Sequence, residues 1–380
     1  MDFELSPNQK EFIDAATAFA NRRLKPIVAR MDAEGKYELS LIPELADLGF
    51  FGLMVPEELG GVGLDTLTYA AIIEEISKVC PSTAVMLSVH NSLMNETLLH
   101  LANDEQRQRF LPSTASGQCV GAFAITESGA GSDAGGTKLR AVPDGDHYVL
   151  DGTKTFITNA EFAGLFIVFA TTNPALKTRG ISAFFVERDT PGFAIGKKEE
   201  KMGLRASSTT ELVFSDARVP AANRIGPEGE GFKAAMRLLD GGRIGIAAQA
   251  LGIAAAAMAE AVEYSRNRRQ FGQNICDFQG IQWMIADMAT EIEAARLLIH
   301  KAAWLRDKGR PSSRAASMAK LFATEMSNRV VNKALQMFGG YGYIKEYPIE
   351  RMYRDQRVTQ LYEGTSEIQR LVISRSVLTK

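Results

Sequence analysis

Residues 119–137, CVGAFAITESGAGSDAGGT, decide how the chain divides. Before this stretch the residues follow helical spacing. From Cys119 onward, β-branched and aromatic residues gather into short runs bounded by Gly, Asn, Asp and Pro, which is the texture of strands. Strands are expected at 121–126, 147–151, 154–158, 165–171, 181–187, 193–197 and 211–214. Short strands at that spacing predict an antiparallel sandwich or barrel rather than βαβ units.

Upstream, Ser6-Pro7-Asn8-Gln9 is a helix start: Ser at the cap, Pro in the first turn and Gln placed for a capping box. Helical patterns follow at 41–48, 66–80, 83–101 and 104–111, broken by Gly60-Gly61-Val62-Gly63. After Gly226-Pro227-Glu228-Gly229 the helical period returns at 232–266, 279–307, 312–338 and 366–378. Long helices with short connections form a bundle. The expected fold is therefore mainly α with a middle β domain: a helical domain over 1–117, a β domain over 118–227 and a helical bundle over 228–380.

The 45 acidic and 43 basic residues nearly cancel, so the overall charge offers no nucleic-acid footprint. Cys80, Cys119 and Cys276 are far apart and form no C-x-x-C pair, which argues for a reducing compartment and against disulfides or a cysteine zinc site. The first residues lack the basic flank and apolar run of a signal peptide, so a mature cytoplasmic start is expected. The most apolar region, 244–259, is expected to be too short and too weakly hydrophobic to span a membrane.

Several chemistries find no support. His90, His100, His147 and His300 are isolated, and no metal site is expected. There is no G-x-S-x-G elbow and no P-loop, and Gly129, Gly131 and Gly135 have the wrong spacing for a Rossmann fingerprint. A redox cofactor would have to be held in another way.

Five stretches remain. The loop 126–137 is rich in small residues and hydroxyls, and could wrap a flat ring or a diphosphate or be a long surface turn. Phe156 and Thr158 share one face of a strand and suit a planar heterocycle. YSRNRRQFG at 264–272 is either a helix end with favourable cations or an anion clamp, and QMFGGYG at 336–342 carries more glycine than a C-cap needs. LYEGTSEIQR at 361–370 sets Glu363 on a turn at a helix start, as a candidate base or as a solvated cap.

In this order, AFAITESGAGSDAGGTK, GTKTFITNA, GLRASST, YSRNRRQFG, QMFGGYGY and LYEGTSEIQR resemble the acyl-CoA dehydrogenase family over essentially the whole chain, most like its short-chain (butyryl-CoA) type. The resemblance implies an N-terminal helical domain, a β sandwich or barrel and a C-terminal four-helix bundle, assembled as a homotetramer around FAD. Phe123, Ile125, Thr126, Ser132, Phe156 and Thr158 would surround the flavin ring and near diphosphate. Arg268, Phe271, Gln279, Gln336 and Gly340 would bind the adenine half of a neighbouring subunit's FAD, and Thr365 would touch the cofactor. Glu363 matches the family's base. Tyr362 and Gly364 would line the thioester, with Ser132, Asp240 and Arg243 on the substrate. Some relatives carry the base at the position of Gly242, which here has no side chain. Phe156 stands where many relatives have Trp.

The implied reaction is α,β-dehydrogenation of an acyl-CoA to the trans-2-enoyl-CoA, with electrons passing to an electron-transferring flavoprotein in fatty acid β-oxidation. A flavin oxidase of the same fold and a non-catalytic scaffold are the alternatives. The acyl group itself is left open between short straight, branched and cyclic chains.

Overall fold

The computed structural model describes residues 5–379; residues 1–4, on which part of the expectation about the chain's start rests, lie outside it. Ser6 opens α1 (Pro7–Phe19) through the expected box: Gln9 N–H donates to Ser6 Oγ at 3.3 Å and Ser6 N–H donates to Gln9 Oε1 at 2.8 Å. Two short helices follow, α2 (Val28–Glu34), which the sequence did not reveal, and α3 (Leu41–Asp47). Asp65 caps α4 (Thr66–Val79) by accepting the Thr68 N–H at 2.8 Å.

The single helix expected at 83–101 is α5 (Pro81–Val89), a π-helical turn at His90–Asn95 and α6 (Glu96–His100). The π turn spends its polar side chains on neighbouring backbone. Asn91 Nδ2 donates to Phe50 O at 2.8 Å, and Gly121 N–H donates to His90 Nδ1 at 3.0 Å. His90 is thereby a structural link between the helices and the sheet. Asn103 and Gln106 form a second capping box at the start of α7 (Asp104–Ala115).

The main sheet contains β1 (Gly121–Ala124), β2 (Arg140–Asp144), β3 (His147–Thr158), β4 (Leu165–Thr171), β5 (Ile181–Glu187), β6 (Phe193–Lys198), β7 (Thr209–Pro220) and β8 (Arg224–Ile225). Its order is β6-β7-β3-β2-β4-β5-β8, with β1 beside β4. Three expectations change. The strands expected at 147–151 and 154–158 are one strand. The sequence of β2, RAVPD, buries only Ala141 and shows no apolar alternation, so it was missed, as was the two-residue β8. The sheet is also mixed and not purely antiparallel, because β1 runs parallel to β4.

The sheet curls over. Phe166 of β4 and Phe193 of β6 meet with ring centroids 4.9 Å apart, although four steps of about 4.8 Å would separate their strands in a flat sheet. On β4 the alternate residues divide between two cores. Phe166, Val168 and Ala170 face the sandwich interior, while Leu165, Ile167 and Phe169 face a cluster shared with the helices. That shared cluster also holds Val89, Leu93 and Leu238, with Ile125 and Tyr362 packed against it.

The C-terminal part contains α8 (Gly231–Asn267), the hairpin β9 (Arg269–Gln270) and β10 (Gln273–Asn274), α9 (Gln279–Asp307), α10 (Ser313–Phe338), α11 (Ile349–Gln356) and α12 (Ser366–Leu378). Ala- and Ile-rich faces of α8, α9 and α10 form one core with Ile72, Ile73 and Ile76 of α4. The expectation that 244–259 is too short for a membrane span is corrected. The 37-residue α8 is long and apolar enough by length and composition, and 72% of its apolar window is buried inside the fold, as in a core helix.

One ionic clasp joins the three regions. Arg354 of α11 donates to Asp32 of α2 at 2.7 Å, to Glu350 at 2.8 Å and to the Met202 carbonyl at 3.1 Å, while Asp355 accepts the Leu204 N–H at 2.6 Å. Burial pushes the Asp355 carboxyl up to about 7.

Candidate active site

The stretch carrying Glu363 divides its labours. Thr365 caps α12, its Oγ1 accepting the Ile368 N–H at 3.4 Å, so Glu363 is not needed as the cap. Glu363 and Gly364 both take positive φ, 50° and 91°. Consecutive left-handed residues turn the chain sharply, and a non-glycine residue held this way marks a position fixed by its surroundings. The turn brings Glu363 inward. Its Oε2 is buried and has no hydrogen-bond partner among the described residues.

Removal from water pushes the Glu363 carboxyl up to about 7, while the positive charges of Lys320 and Arg243 pull the other way. Gly242 of α8 faces it directly: a Cβ there would lie 2.1 Å from Glu363 Oε2. Residues 242 and 363 therefore converge on one point, which the Glu363 carboxylate fills. Tyr362 donates its hydroxyl hydrogen to Gln249 Oε1, and Gln249 Nε2 donates to the Pro81 carbonyl at 2.8 Å.

Arg243 is buried and donates to Asp240 Oδ1 at 2.5 Å and to Ser317 Oγ at 3.4 Å. Asp240 also accepts from Ser313 Oγ at 3.0 Å. Asp240 lines a cavity of about 700 Å³ between the N-terminal helices and the bundle, along with Leu64, Glu96, Arg237, Arg306 and Arg310. Of the pair expected to meet substrate, Asp240 therefore reaches open space and Arg243 sits behind it.

The residues expected around a flavin ring occupy the adjoining part of the sheet. Phe156 is 62% exposed with φ 60°, at a break in the β3–β7 register, and Thr158 is half-buried on the same side, with Ile157 buried between them. A strand bulge thus presents an aromatic face and a hydroxyl together. Ile125 and Thr126 are half-buried at the end of β1, and Ser132 is exposed in the following loop. Phe123, on β1, packs its buried ring against Phe169, with centroids 5.0 Å apart.

A buried ion pair staples the ends of this loop. Lys154 Nζ donates to Glu127 Oε1 at 2.8 Å and to the Ile125 carbonyl at 3.0 Å, and Glu127 accepts the N–H groups of Lys138 and Leu139 at 2.8 and 3.0 Å. A long surface turn would not need such an anchor. No Cβ contact would arise at Gly129 or Gly131, so the loop's backbone is approachable.

Arg268, Gln336 and Gly340 come together far from that loop in sequence, lining an open cleft of about 490 Å³ with Tyr264, Phe338 and Tyr341. The Arg268 guanidinium lies 5.3 Å from the centre of the Tyr341 ring. Phe271 stands at the tip of the β9–β10 hairpin, 94% exposed, and Gln279 is exposed as the first residue of α9. An arginine, an amide and open glycine backbone suit an anionic, heteroaromatic group.

Sequence reasoning missed Lys320, Gln249, Gln369, Glu127 and Lys154. Helical spacing carried a signal for the first: Lys320 falls on the same stripe of α10 as Ala316, Ser317, Ala323 and Thr324, all buried. Lys154 carried one too, as a lysine within a strand run, at the two-residue spacing of the buried Tyr148 and Leu150. Gln249 and Gln369 gave none.

Three domain models match in order: acyl-CoA dehydrogenase N-terminal domain at 6–118, middle domain at 122–217 and C-terminal domain at 229–378. The chain is 48% identical over 377 residues to the short-chain specific acyl-CoA dehydrogenase of Clostridium acetobutylicum, covering 99% of this chain and 100% of that one. The solved butyryl-CoA dehydrogenase of Megasphaera elsdenii superposes with a TM-score of 0.98 at 46% identity, over 100% of both chains. A chain from structural work on the electron transferring flavoprotein of Acidaminococcus fermentans and flavin-based electron bifurcation superposes at 0.99, with 48% identity and 100% coverage of both. With matches of this extent to all three domains, the chain belongs to the acyl-CoA dehydrogenase family.

Proposed function

We propose that this oxidoreductase uses FAD to dehydrogenate a short-chain acyl-CoA to the trans-2-enoyl-CoA, with Glu363 as the base. We further infer a cytoplasmic homotetramer that hands its electrons to an electron-transferring flavoprotein in fatty acid β-oxidation. The observation that carries the role of Glu363 is its buried Oε2, turned inward on a left-handed turn with no hydrogen-bond partner among the described residues.

An α-proton next to a thioester is weakly acidic, so the base must be strong and the developing negative oxygen must be held. Burial supplies the first requirement by raising the Glu363 carboxyl towards working pH, where a general base is most effective. The Glu363 backbone N–H supplies a donor for the thioester oxygen, and one such donor is commonly worth about 3 kcal/mol. When bound, FAD supplies the hydride acceptor at N5 for the substrate β-carbon. Phe156 and Thr158 would face the flavin ring, Ile125, Thr126 and Ser132 would border it, and Thr365 would touch it from the base side. Arg268, Gln336 and Gly340, with Phe271 and Gln279, would serve the adenine half of a neighbouring subunit's cofactor.

Asp240 opens onto the 700 Å³ cavity, where Arg237 and Arg310 offer cations to the CoA phosphates. Tyr362 and Gly364 would line the thioester. The Tyr362 hydroxyl bonded to the buried Gln249 supports a short acyl group, because a longer chain would press methylenes against a polar pair. The likeness to a short-chain specific enzyme and a butyryl-CoA dehydrogenase supports the same choice.

Anaerobic mixing of the flavin-loaded protein with straight and branched acyl-CoAs from butyryl to palmitoyl tests this proposal. Flavin bleaching should be fastest with butyryl-CoA. Fastest bleaching by palmitoyl-CoA would break the short-chain assignment, and no bleaching by any would break the reaction.

A further inference from the structure

Lys320 is enclosed on the inner stripe of α10, with 0% of its surface exposed. A lysine can bury its stem against apolar neighbours, but its ammonium ordinarily reaches water. Here Nζ instead donates to the Gly364 carbonyl at 2.7 Å. Gln369 Nε2 donates to the same carbonyl at 2.9 Å and to the Glu363 carbonyl at 3.2 Å. Two buried side chains, from α10 and α12, therefore grip the strained turn that aims Glu363.

A neutral donor could hold that carbonyl without burying a charge, so the ammonium calls for a further reason. Arg243, the other cation acting on Glu363, is already paired with Asp240 at 2.5 Å. Lys320 has no ion-pair partner within 4.0 Å among the described residues. The remaining groups around the carboxylate are the phenols of Tyr362, bonded to Gln249, and of Tyr69 on α4, bonded to Ser88 at 3.0 Å. Around Lys320, Glu325 is engaged by Ser366 at 2.6 Å and Gln360 at 2.8 Å, and Glu367 is exposed on α12.

We propose that Lys320 is a positioning residue for the base: its ammonium anchors the Glu363–Gly364 turn by its bond to the Gly364 carbonyl and places a buried positive charge one residue along the chain from Glu363. The inference rests on Glu363 being the base. Burial draws the ammonium down to about 7, with the Glu363 carboxylate opposing that fall, so each of the two ionises more readily because the other does.

The test compares pH profiles of kcat for flavin-loaded parent, Lys320→Gln and Lys320→Met, with bound flavin followed by absorbance. Gln retains a donor for the Gly364 carbonyl and removes only the charge; Met removes both. Losing the cation raises the carboxyl's pKa, so the acid limb should move upward by about one pH unit or more in both variants. At the alkaline plateau, Met should lose more turnover than Gln. An acid limb that coincides with the parent's in either variant would overturn the proposal. If both neutral variants fail to fold, Lys320 belongs to stability, and its role at the base is likewise overturned. Glu363→Gln, run alongside, separates the two levels: high turnover in that variant removes the base assignment itself, whereas its loss with unmoved Lys320 profiles removes only the inference.

Discussion

The Glu363 turn and the Arg268 cleft handle charge in opposite ways. At the turn, α8, α10 and α12 of one chain enclose a carboxylate, an ammonium and a guanidinium, and a glycine is required opposite the carboxylate. At the cleft, an arginine lies over a tyrosine ring at the rim of open space, beside a hairpin whose Phe271 touches little of its own chain. The contrast separates chemistry from retention. A group whose pKa must be moved has to be sealed from water within one fold, whereas a group that grips an anion works at an open surface that something else can complete.

The largest effect expected is at the turn. Glu363→Gln should lower turnover by about 10³-fold or more while flavin stays bound, read by steady-state kinetics and absorbance. Substantial remaining turnover would break the contrast on its chemical side. The pH dependence follows the same group: with its carboxyl at about 7, turnover should fall as pH drops below 7. Its effect on stability has the opposite sign. The folded pKa lies above the ordinary 4.5, so the folded chain holds the proton more tightly, and this group's contribution declines as pH rises from 4.5 to 7. Glu363→Gln should therefore melt at a higher temperature than the parent above pH 7.

Gly242→Ala should come next. Its methyl would need the space 2.1 Å from Glu363 Oε2, so the carboxylate must shift, with turnover falling about 100-fold and little change in flavin content. Unchanged turnover would mean that the carboxylate works from elsewhere.

Arg268→Ala should act on the other side of the contrast. The expected result is about a tenfold loss of flavin affinity by equilibrium dialysis, with turnover per bound flavin nearly unchanged. A variant that keeps its flavin but loses turnover would merge the two regions into one.

The smallest effect on the single chain is expected from Phe271→Ser. A residue 94% exposed contributes little to the fold, so the melting temperature of the separated chain should barely move. Association measured by sedimentation should weaken instead. Unchanged association would make Phe271 only a hairpin tip.

Local chemistry was legible wherever it was self-contained. The Ser6–Gln9 box and the strands Leu165–Thr171 and Ile181–Glu187 follow from residues a few positions apart, and they stand where the spacing put them. What failed was non-local. RAVPD is a strand because β3 and β4 lie on either side of it, and α8 is a core helix because neighbouring helices cover it. The Phe156–Thr158 pairing was anticipated, but the bulge that exposes Phe156 was not, since it depends on register with β7.

The sequence by itself determined the helix, sheet and helix plan, the family to which the chain belongs, and Glu363 as the carboxylate worth following. These rest on short-range spacing and on motifs carried in order along the chain. Only the tertiary structure decided what surrounds that carboxylate. Gly242, Lys320 and Arg243 lie between 43 and 121 residues away from it in the chain, and their effect on its charge depends on distance and on the exclusion of water, which packing alone sets.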